Sequence, residues 1–291
     1  MFPIDNYHYA TSIKDAVKVL AADEQAKILA GGTDVLVRLH EGKPGYGHLV
    51  DINGLDELRQ ISRDKKGTIF IGSLASFSEI CRHEIISEHL PMLAQSLLTI
   101  GGPQIRNTGT MGGNICNGAV SADSACAALV YEFDLQIQGP TGERTESIHG
   151  FHTGPGRTIL RQGDLLKYFV IRPENYTGFG AAYIKYAMRG AMDIATIGCG
   201  AAVKMNGTVF DTVKLAFTVA APTPIRCRTA EQAVTGRDFS EETIQILTDA
   251  LTKDVKPRTS WRASKEFRLH IIKTLAKKVT RQAIENQGGA C

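Results

Sequence analysis

Apolar residues fall at helical spacing from Ser12 to Ala22, with Ile13, Ala16, Val17, Val19 and Leu20 on one face. Two short apolar runs, Lys27 to Ala30 and His48 to Ile52, read as buried strands on either side of the apolar stretch Val35 to Leu39. Residues 1 to about 55 are therefore expected to form a small βαβ-like unit. After Leu58 the pattern changes. Ile61 and Ile69 to Ile71 flank the turn Lys65-Lys66-Gly67, which signals a hairpin. Helices are expected from Ser76 to Cys81 and beyond, from Leu90 to Ile100, and from Ala125 to Tyr131. Leu135 to Gln138 reads as a strand before the turn Gly139-Pro140-Thr141-Gly142, and Leu165 to Ile171 as an apolar strand stopped by Arg172-Pro173.

Beyond Pro173 the composition turns to Glu-Asn-Tyr-Thr-Gly, the character of a linker. Strands follow at Ala181 to Met188, Ala195 to Met205 and Thr212 to Ala220. The last two are joined by Asn206-Gly207, a strong short-range hairpin signal. After Ala221-Pro222-Thr223-Pro224, helical patterns cover Thr229 to Val234, Glu241 to Thr252 and Ser264 to Glu285. An antiparallel sheet backed by helices is expected in this half. The fold class expected is α+β, divided at about 176 and 177, with subdomains of about 1–55 and 56–176 in the first part.

Between Thr99 and Asp123 the periodicity gives way to TIGGPQIRNTGTMGGNICNGAVSAD, with six glycines from Gly101 to Gly118. Such a density implies positive φ angles or close approach of a ligand to the backbone. One reading is a long surface loop. The other rests on the short hydrogen-bonding side chains between the glycines, Thr108, Thr110, Asn114, Asn117, Ser121 and Asp123. These and free N–H groups suit phosphate oxygens and ribose hydroxyls. Upstream, Gly31-Gly32-Thr33-Asp34 joins the Lys27 to Ala30 strand to the Val35 helix, with Asp34 or Thr33 in capping position, a further place for an anion. No Gly-x-Gly-x-x-Gly follows a strand, which disfavours a Rossmann nucleotide site.

The chain has 291 residues, 43% hydrophobic and 22% charged, the composition of an ordinary globular protein of two or three domains. A formal net charge of +3, with Lys and Arg spread along the chain, gives no reason to expect nucleic acid or an anionic membrane as partner. The amino terminus has no basic stretch followed by an apolar run, and no apolar stretch reaches bilayer length, so a cytoplasmic protein is expected. Six scattered cysteines without a Cys-x-x-Cys pair argue against zinc and against an iron-sulfur cluster held by this chain, and fit free thiols. His149 and His152 lie among glycines and threonine and are not expected to hold a metal.

The two glycine segments, AGGTDVLVRL and TIGGPQIRNTGTMGGNICNG with the later SAD, resemble the FAD-binding loops of the flavoprotein subunits of molybdenum hydroxylases, the family of xanthine dehydrogenase and carbon monoxide dehydrogenase. The phrases GPQIRN, GGNICNGA, FHTGPG, KYAMR, MDIATIGC, AAPTPIRC and TSWRASKEFRLH extend the resemblance over essentially the whole chain, in the manner of the xanthine dehydrogenase members. The resemblance implies a two-part FAD-binding domain of the vanillyl-alcohol-oxidase (PCMH) type, then a C-terminal domain of the flavoprotein type. It implies that Lys27, Ile28, Leu29, Ala30, Gly31, Gly32, Thr33, Asp34 and Val35 line the cofactor. It places Ile100 beside the flavin, Gly109 and Thr110 on the phosphates, Gly113, Asn114 and Cys116 close to the cofactor, and Asp123 at the adenosine ribose. Leu166 would touch the cofactor and Lys185 approach the isoalloxazine. Cys116 reads as a packing contact. The implied partners are a molybdenum-cofactor subunit and a 2Fe-2S subunit of one complex acting in purine metabolism as a heterotrimer, with NAD or another compound as acceptor. Rival readings are a carbon monoxide, aldehyde or N-heterocycle dehydrogenase subunit, or a non-catalytic nucleotide-binding protein.

Overall fold

The opening alternation of short apolar strands and amphipathic helices folds as a parallel sheet, because a helix between two strands returns the chain to the end of the sheet where the first strand began. The computed structural model describes residues 4–288. In it β1 (Asn6–Tyr9), α1 (Ile13–Ala22), β2 (Lys27–Leu29), α2 (Val35–His40) and β3 (His48–Asp51) form a sheet of order β1-β3-β2. Tyr7 pairs with Leu49 and Ile28 with Val50. Ser12 starts α1 by accepting from the Asp15 N–H at 3.1 Å, while Asp34 begins α2 with no side-chain cap bond. Strand β1 has no apolar alternation because most of it is exposed, so sequence periodicity passes it by.

The expected hairpin is β4 (Ile61–Arg63) with β5 (Ile69–Gly72). Three helices follow, α3 (Phe77–Arg82), α4 (Glu84–His89) and α5 (Pro91–Leu98). The segment read as a long glycine loop is instead largely helical, as α6 (Pro103–Thr108) and α7 (Met111–Cys116). Proline at the first helical position of α6 and the Thr110 hydroxyl accepting from the Gly113 N–H at 3.0 Å start these turns against the low helix propensity of glycine. Next come α8 (Asp123–Val130), β6 (Asp134–Gly139) and β7 (Gly142–Ser147), the small pair β8 (His152–Gly154) and β9 (Arg157–Thr158), and β10 (Leu165–Ile171). The second sheet runs β4-β5-β10-β6-β7, and β7 to β9 were not anticipated. They carry polar, glycine-rich sequence with little burial.

The third sheet has the order β11-β12-β13-β14, from β11 (Gly180–Tyr186), β12 (Ile197–Asn206), β13 (Val209–Thr218) and β14 (Ile225–Arg226). The Asn206-Gly207 hairpin joins β12 to β13 as expected, and Gly207 takes a φ of +61°. Helices α9 (Arg228–Val234), α10 (Glu241–Ala250) and α11 (Lys265–Asn286) complete the chain. Residues of α11 such as Ile272, Ala276 and Val279 share one core with Ala182, Ala201 and Leu215 of this sheet. The alternate residues Ala181, Ala202 and Ala216 join the other core, with α5 and α8. Burial on both faces makes these strands read as continuous apolar runs. Every residue of α8 is buried, and its alanines 125, 127 and 128 let the helix lie against the sheet.

The segment expected as a linker, 174–178, is packed. The Tyr176 hydroxyl donates to the Gly67 carbonyl at 2.5 Å, and Asn175 accepts from Lys214 at 2.9 Å. Glu132 fastens the same junction from the end of α8. It sits at a φ of +52° and pairs with Arg226 at 3.1 Å, Arg228 at 3.3 Å and Lys214 at 3.5 Å. His149, 3.7 Å away, together with Lys214, Arg226 and Arg228, holds the Glu132 carboxyl far below the usual carboxylate range, against the opposing effect of burial. A carboxyl whose folded pKa is depressed contributes stability above its unfolded pKa of about 4.3 and loses it as the pH falls below that value. Thermal melting should therefore show a larger fall in Tm between neutral pH and about pH 3 for the wild-type chain than for Glu132→Gln. Equal pH profiles for the two would contradict this assignment.

Candidate functional site

The site forms where the turn after β2 meets the α6–α7 junction. A Cβ at Gly31 would lie 1.8 Å from the Thr108 carbonyl oxygen, so backbone packs on backbone there and no side chain is accommodated. Gly32 takes a φ of +72°, which glycine adopts without strain. Gly112 is fixed in the same way, because its Cβ would meet the Ser73 carbonyl oxygen at 2.5 Å. Gly113 differs. Its Cβ would meet only the Thr110 hydroxyl oxygen, at 3.0 Å, with no other neighbour within 4 Å, and Gly113 lines a cavity of about 350 Å³.

This cavity is of a size to hold a small ligand or cofactor. It runs along α7. At the N-terminal end of that helix stand Ile100, Ile105 and Phe77; Ile105 packs over Gly101, and the Phe77 ring lies beside Gly109. At the other end Asn117 accepts from Arg38 at 3.1 Å, and the Tyr46 hydroxyl lies 2.6 Å from the same guanidinium. One end is thus apolar and aromatic, the other cationic and hydrogen-bonding. Asn114 Oδ1 accepts from the Ser124 hydroxyl at 2.6 Å, which fixes that amide in the lining. Burial pushes the Cys116 thiol up to about 12, so it stays protonated and serves as packing. Beneath α7 the buried His152 ring nitrogen pairs with the Ile115 carbonyl at 3.0 Å.

Of the residues named from sequence, Lys27, Ile28, Ala30, Gly31, Gly32, Thr33, Asp34 and Val35 line the cavity, as do Ile100, Thr110, Gly113, Asn114, Cys116 and Leu166. Four lie elsewhere. Leu29 lines a separate hollow on the far side of the Gly31-Gly32 turn, and Gly109 is pressed against Phe77. Asp123 is buried, and its carboxylate is taken by the Tyr183 hydroxyl at 2.5 Å and Lys185 at 2.9 Å. Lys185 also donates to the Thr99 carbonyl at 3.0 Å, so the pair braces the chain one residue before Ile100. Sequence reasoning missed Arg38, Tyr46, Ser73, Phe77 and Ile105. Arg38 lies within the AGGTDVLVRL segment, but nothing in the spacing pairs it with Asn117, 79 residues on.

The first 173 residues carry the family signature: positions 2–173 match the FAD binding domain in molybdopterin dehydrogenase, and 182–283 match the CO dehydrogenase flavoprotein C-terminal domain. The chain belongs to this family of FAD-binding flavoproteins. Among its relatives it is 48% identical over 289 residues to the xanthine dehydrogenase FAD-binding subunit of Escherichia coli O157:H7, covering 99% of both chains. It is 30% identical to the carbon monoxide dehydrogenase medium chain of Hydrogenophaga pseudoflava, over 97% of each. A solved structure of carbon monoxide dehydrogenase from Hydrogenophaga pseudoflava superimposes with a TM-score of 0.93 at 29% identity, covering 98% of this chain and 99% of that one.

Proposed function

We propose that this chain is the FAD-carrying subunit of a xanthine dehydrogenase-type molybdenum hydroxylase of purine metabolism. It receives electrons from 2Fe-2S clusters on one partner chain, substrate is hydroxylated on a molybdenum-cofactor chain, and NAD or another soluble compound takes the electrons. The observation that carries this reading is the cavity along α7, floored by glycine backbone and graded from apolar to cationic, in a chain that matches such subunits from end to end. The 48% identity to a xanthine dehydrogenase subunit, against 30% to a carbon monoxide dehydrogenase chain, favours a purine as the substrate of the complex. A heterotrimeric, cytoplasmic assembly and a domain division near Tyr176 belong to the same proposal.

The residues present fit FAD. Gly113 leaves room for close approach of the cofactor to the backbone of α7, and Ile100, Ile105, Phe77 and Leu166 offer apolar surface to a planar ring. Lys27 and Arg38 outnumber the single lining carboxylate, Asp34, and so favour a diphosphate. Bound FAD supplies the electron-transfer chemistry. The protein's own part is to seat it, to bar water from its apolar side and to brace the Thr99-Ile100 edge through Lys185 and Asp123. No cluster of three His, Cys, Asp or Glu side chains placed for a metal occurs among the described residues.

Anaerobic mixing with xanthine tests the proposal. The isolated, FAD-loaded chain should keep its visible flavin absorbance, and addition of partner chains bearing 2Fe-2S clusters and the molybdenum cofactor should bleach it. Turnover of xanthine by the isolated chain at the rate of the complex, or an unbleached flavin in the complex, would overturn it.

A further inference from the structure

Among the described residues Arg38 is the one guanidinium lining the cavity, and its surroundings are those of a cation prepared for an anion. Tyr46 and Asn117 engage two of its five N–H donors, through the 2.6 Å and 3.1 Å contacts, and Cζ sits 5.6 Å from the centre of the Tyr46 ring. Both partners are neutral. Glu41, the residue that caps the C-terminus of α2, feels the Arg38 charge but makes its contact ion pair with Lys43, at 2.8 Å. Asp34, one turn earlier, makes no ion pair with it among the described residues. Arginine, held through its two terminal nitrogens and with three N–H donors beyond those two bonds, suits a phosphate better than a solvated lysine does.

Its position assigns which phosphate. The apolar residues Ile100, Ile105 and Phe77 cluster at the N-terminal end of α7, whereas Asn117 places Arg38 at the C-terminal end. A flavin ring at the apolar end leaves the part of the cofactor most distant from the ring, the adenosine phosphate half, beside Arg38. That half is present in FAD and absent from FMN. Resting on the FAD reading above, we propose that Arg38, held by Tyr46 and Asn117, anchors the adenosine phosphate half and gives the chain its preference for FAD over FMN.

The test is calorimetric titration of the flavin-free chain with FAD, FMN and ADP. For Arg38→Gln, FAD affinity should fall about tenfold or more, as expected for a lost charge-assisted hydrogen bond, with FMN affinity unchanged. ADP should compete with FAD in the wild type and lose that effect in the variant. Arg38→Lys, which keeps the charge without the fork, should lie between. Tyr46→Phe should weaken FAD alone by a smaller factor, and carries the test if Arg38→Gln does not fold. Equal losses for FAD and FMN, or no loss for either, would overturn the assignment. A wild-type chain that bound neither flavin would instead overturn the FAD reading itself.

Discussion

Valine in place of Gly113 should yield a folded chain that no longer retains flavin. The added Cβ comes within 3.0 Å of the Thr110 hydroxyl oxygen, a side chain that must give by a few tenths of an ångström, and outside α7 itself it meets nothing else within 4 Å, so the fold can take it with a small local shift. Valine is also a better helix former than glycine, which favours α7. On the proposed placement of the cofactor, the two methyl groups of valine take up cavity space that it needs beside α7. Overpacking a close contact costs about 1–3 kcal/mol, or about 5- to 150-fold in affinity. The flavin-to-protein ratio after gel filtration should drop from near-stoichiometric to background, with Tm of the flavin-free chain unchanged. Gly113→Ala should fall between. Full flavin content in Gly113→Val would show that the cofactor does not lie against α7.

The second large effect is on stability. Asp123→Ala should strand Lys185 in a buried site and leave the Tyr183 hydroxyl without its acceptor. Breaking one partner of a buried ion pair costs about 3–5 kcal/mol. For a chain of this size that lowers Tm by on the order of 10 °C. Asp123→Asn keeps an acceptor for Tyr183 and should lose less, and removal of both charges in Asp123→Leu with Lys185→Met should recover much of the loss. Melting curves on the four flavin-free chains check this. An unchanged Tm in Asp123→Ala would mean that the pair is not formed.

Asp123 also marks the limit of what the sequence discloses. A carboxylate after a glycine-rich segment reads naturally as a ribose ligand, and only the fold brings Tyr183 and Lys185, some 60 residues later, onto its two oxygens. Local chemistry was legible where it is self-contained. The Asn206-Gly207 hairpin, the strand-turn-helix at Gly31-Gly32 and the amphipathic α1 each depend on neighbours in sequence, and each is where the pattern placed it. The segment from Gly101 to Gly118 failed that rule. Its glycines looked like a loop because their purpose is tertiary: Gly112 gives way to the Ser73 carbonyl and Gly109 to the Phe77 ring, and helices form in spite of them. Phe77 and Tyr46 carry no signal at all, because each reaches the cavity only through the packing of elements remote in sequence from α7.

The cofactor itself gives the most direct test. The chain is purified, incubated with equal excesses of FAD and FMN, desalted and precipitated with mild acid, and the supernatant is separated chromatographically against FAD and FMN standards. FAD released in near-equal amount to the protein, with no flavin left on the precipitate, is the result predicted for a non-covalent site along α7. No flavin in either fraction, or FMN in place of FAD, would contradict it.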